Sequence, residues 1–148
     1  MKKIFLIIIV FLSTNIISAQ TKTELSIFLD NISQIQNSKD IIETNDAKKI
    51  FEYGENQLKI LSHFFADQTK TRIKSDCLNR NLKKGELAII LADNIKRMPY
   101  AKLTGIQNCI LEFCKENPNL IEFYLPSIAK DNAKKFTQNY NEWLKIKP

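Results

Sequence analysis

The sequence has few of the residues that enzymes and metal sites most often use. Among its 148 residues there is one histidine, His63, and there are three cysteines and three glycines. The glycines are isolated from one another, so no glycine-rich loop that could hold a phosphate or a dinucleotide is present. The G-x-S-x-G and H-E-x-x-H motifs are also missing, and no two cysteines have C-x-x-C spacing. We therefore expect no metal site, no cofactor and no residue that can be named as catalytic.

No long apolar run follows the N-terminal segment. The N-terminal segment contains a short apolar run and has the form of a secretory signal peptide. Two lysines precede an apolar run over residues 4–12, and a short polar stretch ends at Ala19. This order of segments is typical of a signal peptide, and the run is too short to span a bilayer. The sequence therefore predicts a signal peptide over 1–19 and a single domain over 20–148. That domain is expected to be periplasmic or secreted, with no transmembrane segment.

Positive charge is only in mild excess, and it is not gathered in one block. The chain has a formal net charge of +6, and cleavage after Ala19 removes Lys2 and Lys3 but no acid, which leaves +4. Six basic residues lie between positions 70 and 84, but they would scatter around the helix that is predicted there. No aromatic residues interleave them, so we do not expect nucleic-acid binding. The oligomeric state stays open.

The strongest hydrophobic pattern lies between Lys84 and Pro126. Residues 87–91 form an unbroken apolar run. At about 100° per residue, one broad helical face holds Leu87, Ile90, Leu91, Ile95 and Met98. This pattern is typical of a buried helix. Gly85 is expected to open the helix and Pro99 to end it, because the residue before a proline is driven out of the helical region.

Two shorter helices are predicted in the rest of this stretch. A helical stripe is formed by Ile106, Cys109, Ile110, Phe113 and Cys114. Asn117 then precedes Pro118, which is the order of an N-cap and a proline in the first turn. The pattern predicts a further helix that runs to about Tyr124 and ends at Pro126. Helices joined by so few residues have to pack against one another.

Helical spacing of apolar residues also predicts five further helices. They lie at about 21–37, 45–53, 55–67, 69–79 and 131–145. The last one carries an aromatic stripe that is expected to cover the core. No apolar run alternates strictly with polar residues, so no β-hairpin is predicted. The fold class is therefore all-α, a compact single-domain bundle of helical hairpins with about seven or eight helices.

The pair of helices predicted over 45–67 resembles one repeat unit of the HEAT type. The two helical segments lie on either side of Gly54 and form an antiparallel hairpin. The resemblance covers about twenty residues, and no second copy follows at a fixed period. It implies a bundle that is HEAT-like in part and not a solenoid.

All three cysteines, Cys77, Cys109 and Cys114, lie in the part of the chain that is expected to be exported. Export places them in an oxidising compartment, where disulfides persist. Cys109 and Cys114 are five positions apart on one predicted helix, so their side chains diverge and they should not pair. We predict a disulfide between Cys77 and Cys109, with Cys114 free. The alternatives are a bridge from Cys77 to Cys114 and three reduced thiols.

Four side chains are weak candidates for a binding site: Asn94, Glu86, Asp93 and His63. Asn94 falls near the centre of the apolar face of the central helix, where a buried amide needs a hydrogen-bond partner. Glu86 and Asp93 are seven positions apart, which is loose for an acid–base pair. Asp93 is also four positions from Arg97, the spacing of an ordinary ion pair. Asn94 and Asp93 therefore have a structural explanation beside the functional one, and His63, just off the apolar stripe of its predicted helix, has one as a partly exposed structural histidine.

The sequence favours a small exported, non-catalytic module that binds a protein partner in the cell envelope. An inhibitor or immunity-type protein is one form that fits the size and the export signal. One alternative is a small hydrolase of an envelope polymer that uses Glu86 or Asp93 with His63. Another is a peripheral structural protein of the envelope that is held by its positive charge. Whether the chain is an enzyme stays open, with a non-enzyme favoured.

Overall fold

Helices form most of the part of the chain that the structure describes, and one segment forms a small two-stranded sheet. The structure, a computed structural model, describes residues 22–107, 114, 117, 119–129 and 132–146. The α-helices are α1 (22–32), α2 (Asn45–Glu52), α3 (Leu58–Ser62), α4 (Lys84–Ile95), α5 (Tyr100–Thr104), α6 (Leu125–Ala129) and α7 (Ala133–Lys145). Segments of 3-10 helix span Ser38–Glu43, Gly54–Gln57 and Leu120–Tyr124, and the strands are β1 (Lys70–Ser75) and β2 (Arg80–Lys83). The all-α prediction is therefore correct for the predominant helical part and wrong for the sheet.

The predicted central helix is α4, which is buried on every side over residues 84–93. It contacts α2, α3, β2 and the 3-10 helix Leu120–Tyr124. The sequence predicts one apolar face, but Ala88, Ile89 and Ala92 are buried as well. A helix that is apolar nearly all round lies at the centre of a fold, because each of its faces needs a packing partner.

Replacing Leu91 with alanine is expected to lower the free energy of unfolding by about 2–5 kcal/mol. The side chain is fully buried in α4, so its truncation leaves a cavity and also removes apolar contact. Leu120 is 42% exposed, and Leu120→Ala, the matched control, should cost less than about 1 kcal/mol. Urea unfolding measures both changes, and a loss below about 0.5 kcal/mol for Leu91→Ala would contradict its place in the core.

The helix predicted over 69–79 is wrong, because this segment forms the first strand and the turn of a β-hairpin. β1 and β2 pair antiparallel across a turn over residues 76–79. Burial alternates strictly along β1, as the two-residue period of a strand requires. The buried positions Thr71 and Ser75 are polar, so the hydrophobic pattern does not show the alternation. Asn79 completes the turn in the left-handed region (φ 51°), which asparagine tolerates.

A segment that follows α1 runs along the other edge of β1. The Arg72 N–H donates to the Ser33 carbonyl and the Lys74 N–H donates to the Gln36 carbonyl, both at 2.9 Å. Asn37 adds a parallel bridge to Lys74. β1 therefore has hydrogen-bonded neighbours on both sides, which fixes the hairpin to the body of the protein.

Several helix ends differ from the sequence prediction. α1 stops at residue 32 rather than 37, and the helix predicted over 55–67 is divided into a 3-10 helix and α3. With five residues, α3 is shorter than the second helix of the predicted hairpin. Residues 105–107 are not helical, and most of the stripe predicted to follow them lies outside the described residues.

Pro126 does not end a helix but occupies the first turn of α6. Backbone N–H groups in the first turn have no partner within the helix, so the N–H that proline lacks costs no hydrogen bond there.

The aromatic stripe of α7 covers the core, as predicted. The ring of Phe65 lies 5.0 Å from the ring of Tyr140, edge to face, and 5.8 Å from the ring of Phe136. Phe136 and Tyr140 are both buried, and α7 contacts α3, α5 and α6. Rings at these separations gain stabilisation from their mutual orientation as well as from burial. α7 therefore closes the core on the side of α3.

Candidate functional site

Glu86 lies in the first turn of α4 and is fully engaged in local structure. Its side chain is 4% exposed. Arg80 donates to both carboxylate oxygens, at 2.7 and 2.8 Å, and the Lys83 N–H donates to Oε2 at 2.8 Å. A bidentate arginine pair of this kind is strong and fixes the geometry of both side chains. Glu86 therefore caps α4 and joins it to β2, and its oxygens are not offered to solvent.

Asp93 lies near the other end of α4 and is also held by internal donors. The Met98 N–H donates to Oδ1 at 2.8 Å, and the Tyr100 hydroxyl donates to Oδ2 at 2.7 Å. The predicted ion pair with Arg97 is present at 3.8 Å, but Asp93 is buried rather than on the surface. Burial raises the pKa of Asp93, and the hydrogen bonds offset only part of that effect. Asp93 therefore ties the end of α4 to the segment that leads into α5.

The contribution of Asp93 to stability should fall as pH rises. Because burial raises its pKa, the folded chain holds a proton at pH values where the unfolded chain has already lost it. The contribution is therefore complete below the unfolded pKa of about 4 and is lost as pH rises through the raised value. Asp93→Asn removes this dependence, and urea unfolding between about pH 3 and pH 8 measures the difference. A wild type that gains stability relative to Asp93→Asn as pH rises would contradict the prediction.

The other two candidates, His63 and Asn94, lie on the surface. His63 is exposed at the C-terminal end of α3. The prediction that Asn94 lies near the centre of the apolar face is wrong, because the last turn of α4 leaves the core and exposes it. Its Nδ2 donates to the Ile90 carbonyl at 2.9 Å. Seven residues of helix place Glu86 and the buried Asp93 about 10 Å apart along α4, so these two carboxylates do not form an acid–base pair.

The disulfide joins Cys77 to Cys114, with 5.5 Å between the Cα atoms. The prediction of a bridge between Cys77 and Cys109 is therefore wrong, and Cys109 itself lies outside the described residues. The prediction assumes that these cysteines lie on helices, but Cys77 lies in the hairpin turn and Cys114 has left-handed backbone geometry (φ 48°). Side-chain directions that hold for helices therefore apply to neither residue. The bridge ties the chain that precedes the 3-10 helix Leu120–Tyr124 to the hairpin.

A buried polar network lies beside the disulfide, and no sequence pattern predicts it. Glu122 is fully buried and accepts hydrogen bonds from the Ser75 hydroxyl, from Asn117 Nδ2 at 2.9 Å and from Asn119 Nδ2 at 3.4 Å. Asn119 also donates to the Ser38 carbonyl at 2.9 Å. A buried carboxylate without such donors would be strongly destabilising. The network therefore favours one arrangement of the segments that supply its members.

Three surface grooves lined by described residues are small. The groove between α3 and α7 has a volume of about 280 Å³, the one between α5 and α7 about 230 Å³, and the one beside the disulfide about 100 Å³. Pockets for small molecules usually enclose about 300–1,000 Å³, so these grooves do not point to such a ligand.

Over the described ranges, no three His, Cys, Asp or Glu side chains are placed to hold a metal ion. In the same ranges, no helix combines the length and the apolarity needed to cross a membrane.

The outward side of the hairpin is basic. Lys70, Arg72 and Lys74 alternate with the buried residues of β1 and are exposed. Lys83 of β2 lies directly opposite Lys70 and is half-buried, with its side chain on the same side of the sheet. On a helix these residues would scatter, whereas the two-residue period of a strand gathers them. These four residues are called the basic face.

Little negative charge opposes the basic face. Lys74 lies 3.9 Å from Asp76, but both side chains are more than half exposed, so the pair contributes little. Lys70 and Arg72 have no ion-pair partner in the part of the chain that the structure describes. Arg80 differs from them, since the carboxylate of Glu86 neutralises it. Of the four cations of the basic face, Lys70 and Arg72 therefore have no structural task, whereas Lys74 has a weak ion pair and Lys83 donates to Gln68.

No protein-family model, curated protein or solved structure matches this chain. Its function is therefore inferred from its own side chains and surfaces. Two features carry that inference: both candidate carboxylates are used internally, and the hairpin presents the basic face to solvent.

Proposed function

We propose that the exported chain is a small, non-catalytic module that binds another protein in the cell envelope. One contrast carries this proposal. The two carboxylates best suited to chemistry are enclosed by structural donors, whereas cations without a structural task face solvent on the hairpin. A general acid or base has to come within hydrogen-bond distance of its substrate. Exposed charge on a rigid backbone is suited instead to contact with another macromolecule.

The alternative of a small envelope-polymer hydrolase has less support. It requires Glu86 or Asp93 to meet His63 and the substrate in one cleft. The hydrogen bonds that the two carboxylates accept come from groups other than His63. Opening either carboxylate to a substrate would break contacts that hold the ends of α4 and would leave a buried charge without partners.

The hairpin is held as a rigid platform, which favours a binding role. β1 has backbone hydrogen bonds on both edges, and the disulfide anchors the turn between β1 and β2. The Ser75 hydroxyl also joins the end of β1 to the buried Glu122. A surface that is ordered before it binds loses little conformational entropy on association.

Within this class, an inhibitor or immunity-type protein is the form that we propose first. Such a protein acts by covering a site on its target, so it needs a complementary surface but no chemistry. A peripheral envelope protein held by positive charge is the second candidate, and the basic face is the observation that favours it. The two candidates differ in their ligand, since an inhibitor binds a folded protein and a peripheral envelope protein binds an anionic surface.

Capture of a partner by the folded mature chain tests the proposal. Residues 20–148 are oxidised, immobilised and exposed to periplasmic extract at about 50 mM and about 300 mM salt. The control bait is a stable basic protein of similar size and charge. We expect a partner that binds this chain and not the control, and that forms a stoichiometric complex with it in size-exclusion chromatography. No partner above the control at either salt concentration would overturn the proposed function.

A further inference from the structure

We propose that the basic face is the docking surface of this module and that it receives an acidic face of the partner protein. This inference rests on the proposed function and names the chemistry of the partner. The placement of Lys70, Arg72, Lys74 and Lys83 on one side of a two-stranded sheet carries it. Among residues 70–83, the acid that accompanies them is Asp76, at the turn.

The basic face is electrostatically unfavourable while no partner covers it. Lys70 and Lys83 lie directly opposite each other, and like charges at opposed positions destabilise a sheet. The Lys83 ammonium donates to the side-chain oxygen of Gln68, a neutral group that does not offset its charge. Carboxylates on a partner turn this repulsion into attraction. Binding therefore gains from the relief of repulsion inside the hairpin as well as from new ion pairs.

The exposed cations of β1 form a short row that suits a row of carboxylates. Alternate residues of a strand are about 6.5–7 Å apart, and the register shifts between Lys70 and Lys74, so Lys70, Arg72 and Lys74 span at most roughly twice that length. Alternate residues of a partner strand have the same spacing, and residues four apart on a helix lie about 6 Å from each other. The backbone hydrogen bonds of β1 hold the row in place. Arg72, at its centre, can bind a carboxylate through two donors.

The surroundings of the basic face favour an acidic protein over a bilayer. Ile73 and Leu82 are fully buried beneath the sheet, so the face has no apolar side chain to insert into lipid. The large apolar residues that are exposed in the described chain lie on other elements: Ile27, Tyr53, Leu120 and Ile146. Gln34 and Gln36 are exposed in the segment beside β1 and add neutral hydrogen-bonding groups, as the rim of a protein interface does.

Position-specific photocrosslinking in the producing cells tests this docking surface. A benzophenone amino acid replaces Arg72 in one strain and Lys134, which is exposed on α7, in another. We expect a protease-sensitive crosslinked band from position 72 and none from position 134. Lys70→Glu with Lys74→Glu should remove the band, whereas Lys135→Glu, an exposed substitution on α7, should not. Equal crosslinking from both positions, or a band that survives the charge reversal, would overturn the inference.

Two defined probes separate an acidic protein from an anionic lipid. A peptide with glutamate at alternate positions, and vesicles with about 30% phosphatidylglycerol, are each titrated against the mature chain at low salt. We expect peptide binding that weakens at least about tenfold in Lys70→Glu/Lys74→Glu and by a smaller factor in Lys70→Gln/Lys74→Gln. Vesicle binding that depends on these two lysines, without binding of the peptide, would overturn the inference in favour of lipid.

The outcomes also separate the docking surface from the proposed function. A partner captured equally well by the wild type and by Lys70→Glu/Lys74→Glu would overturn the docking surface and leave the proposed function standing. Failure of the wild type to capture a partner would overturn both. The substituted side chains are exposed, so each variant should keep the circular dichroism spectrum of the wild type, and the glutamine variant serves if charge reversal perturbs it.

Discussion

Replacing Cys77 and Cys114 together with serine is expected to lower the free energy of unfolding by roughly 4 kcal/mol. The bridge joins residues that are 37 positions apart, and a cross-link over this length strongly restricts the unfolded chain. In the folded chain, Asn117 Nδ2 lies 3.2 Å from Cys77 Sγ and 2.9 Å from Glu122 Oε1. Loss of the bridge therefore also loosens the buried network. Urea unfolding of the oxidised wild type and of the double variant measures the change.

Cys109→Ser is the matched control, because it removes the third thiol and leaves the bridge. A dithiol reductant should lower the stability of the wild type and of Cys109→Ser by similar amounts, and it should not affect the Cys77→Ser/Cys114→Ser variant. Peptide mapping without reduction should link the peptides that contain Cys77 and Cys114. A linked pair of Cys77 and Cys109 peptides, or a loss below about 1 kcal/mol in the double variant, would be incompatible with this bridge.

Gly85→Ala is expected to lower the free energy of unfolding by about 3 kcal/mol or more, through overpacking and a lost hydrogen bond. An alanine Cβ there would lie 2.4 Å from the Phe65 carbonyl oxygen and 2.8 Å from the Asp67 carbonyl oxygen. Both are backbone atoms, so side-chain rotation cannot move them aside. The Gly85 N–H also donates to the Asp67 carbonyl at 3.0 Å, and displacement of α4 would break this bond. Thermal or urea unfolding measures the loss.

Gly105→Ala separates this packing effect from the general effect of replacing a glycine. Gly105 has a φ of 73° at the end of α5, but nothing lies within 4 Å of its Cβ position. Alanine at this position lowers the free energy of unfolding by about 1–2 kcal/mol through backbone strain, and it makes no close contact. Equal losses in the free energy of unfolding for the two variants would contradict the close packing of the start of α4 against the chain between α3 and β1.

The central helix can be predicted from the sequence because its signal is local. Residues 87–91 are consecutively apolar, and no strand pattern competes with them. In α7, Phe136 and Tyr140 repeat at helical spacing in the same way, and both face the core. The burial of α4 on all sides is not local, because it depends on which elements surround the helix. That is why the sequence predicts a single apolar face.

The hydrophobic pattern of the sequence does not predict the β-hairpin, and the reason is physical. Thr71 and Ser75 are buried because each has a hydrogen-bond partner: Thr71 donates to the Leu82 carbonyl at 2.8 Å, and Ser75 donates to Glu122. Buried polar residues with distant partners look like exposed residues in a hydrophobicity pattern. The alternation of basic residues along β1 is the local signal of a strand, and helical spacing does not detect it.

The candidate site could be predicted only in part. The ion pair of Asp93 with Arg97 follows from their spacing, whereas the burial of Asp93 and the pairing of Glu86 with Arg80 do not. The disulfide partner of Cys77 does not follow, because Cys114 itself has left-handed rather than helical backbone geometry. The basic face depends on the strand assignment, so a wrong secondary structure over 69–79 also hides the surface on which the proposed function rests.

The strict alternation along β1 has a consequence for how the binding specificity of such a chain can evolve. The inward positions are Thr71, Ile73 and Ser75, and the outward positions are Lys70, Arg72 and Lys74. Outward substitutions touch no interior contact, so they should change folding stability little while they alter the charge pattern shown to a partner. Mutation and selection can therefore alter the charge of the proposed docking surface at every second residue of one strand, while the intervening residues preserve the scaffold. A few codon changes at the outward positions would change that surface without rebuilding the core.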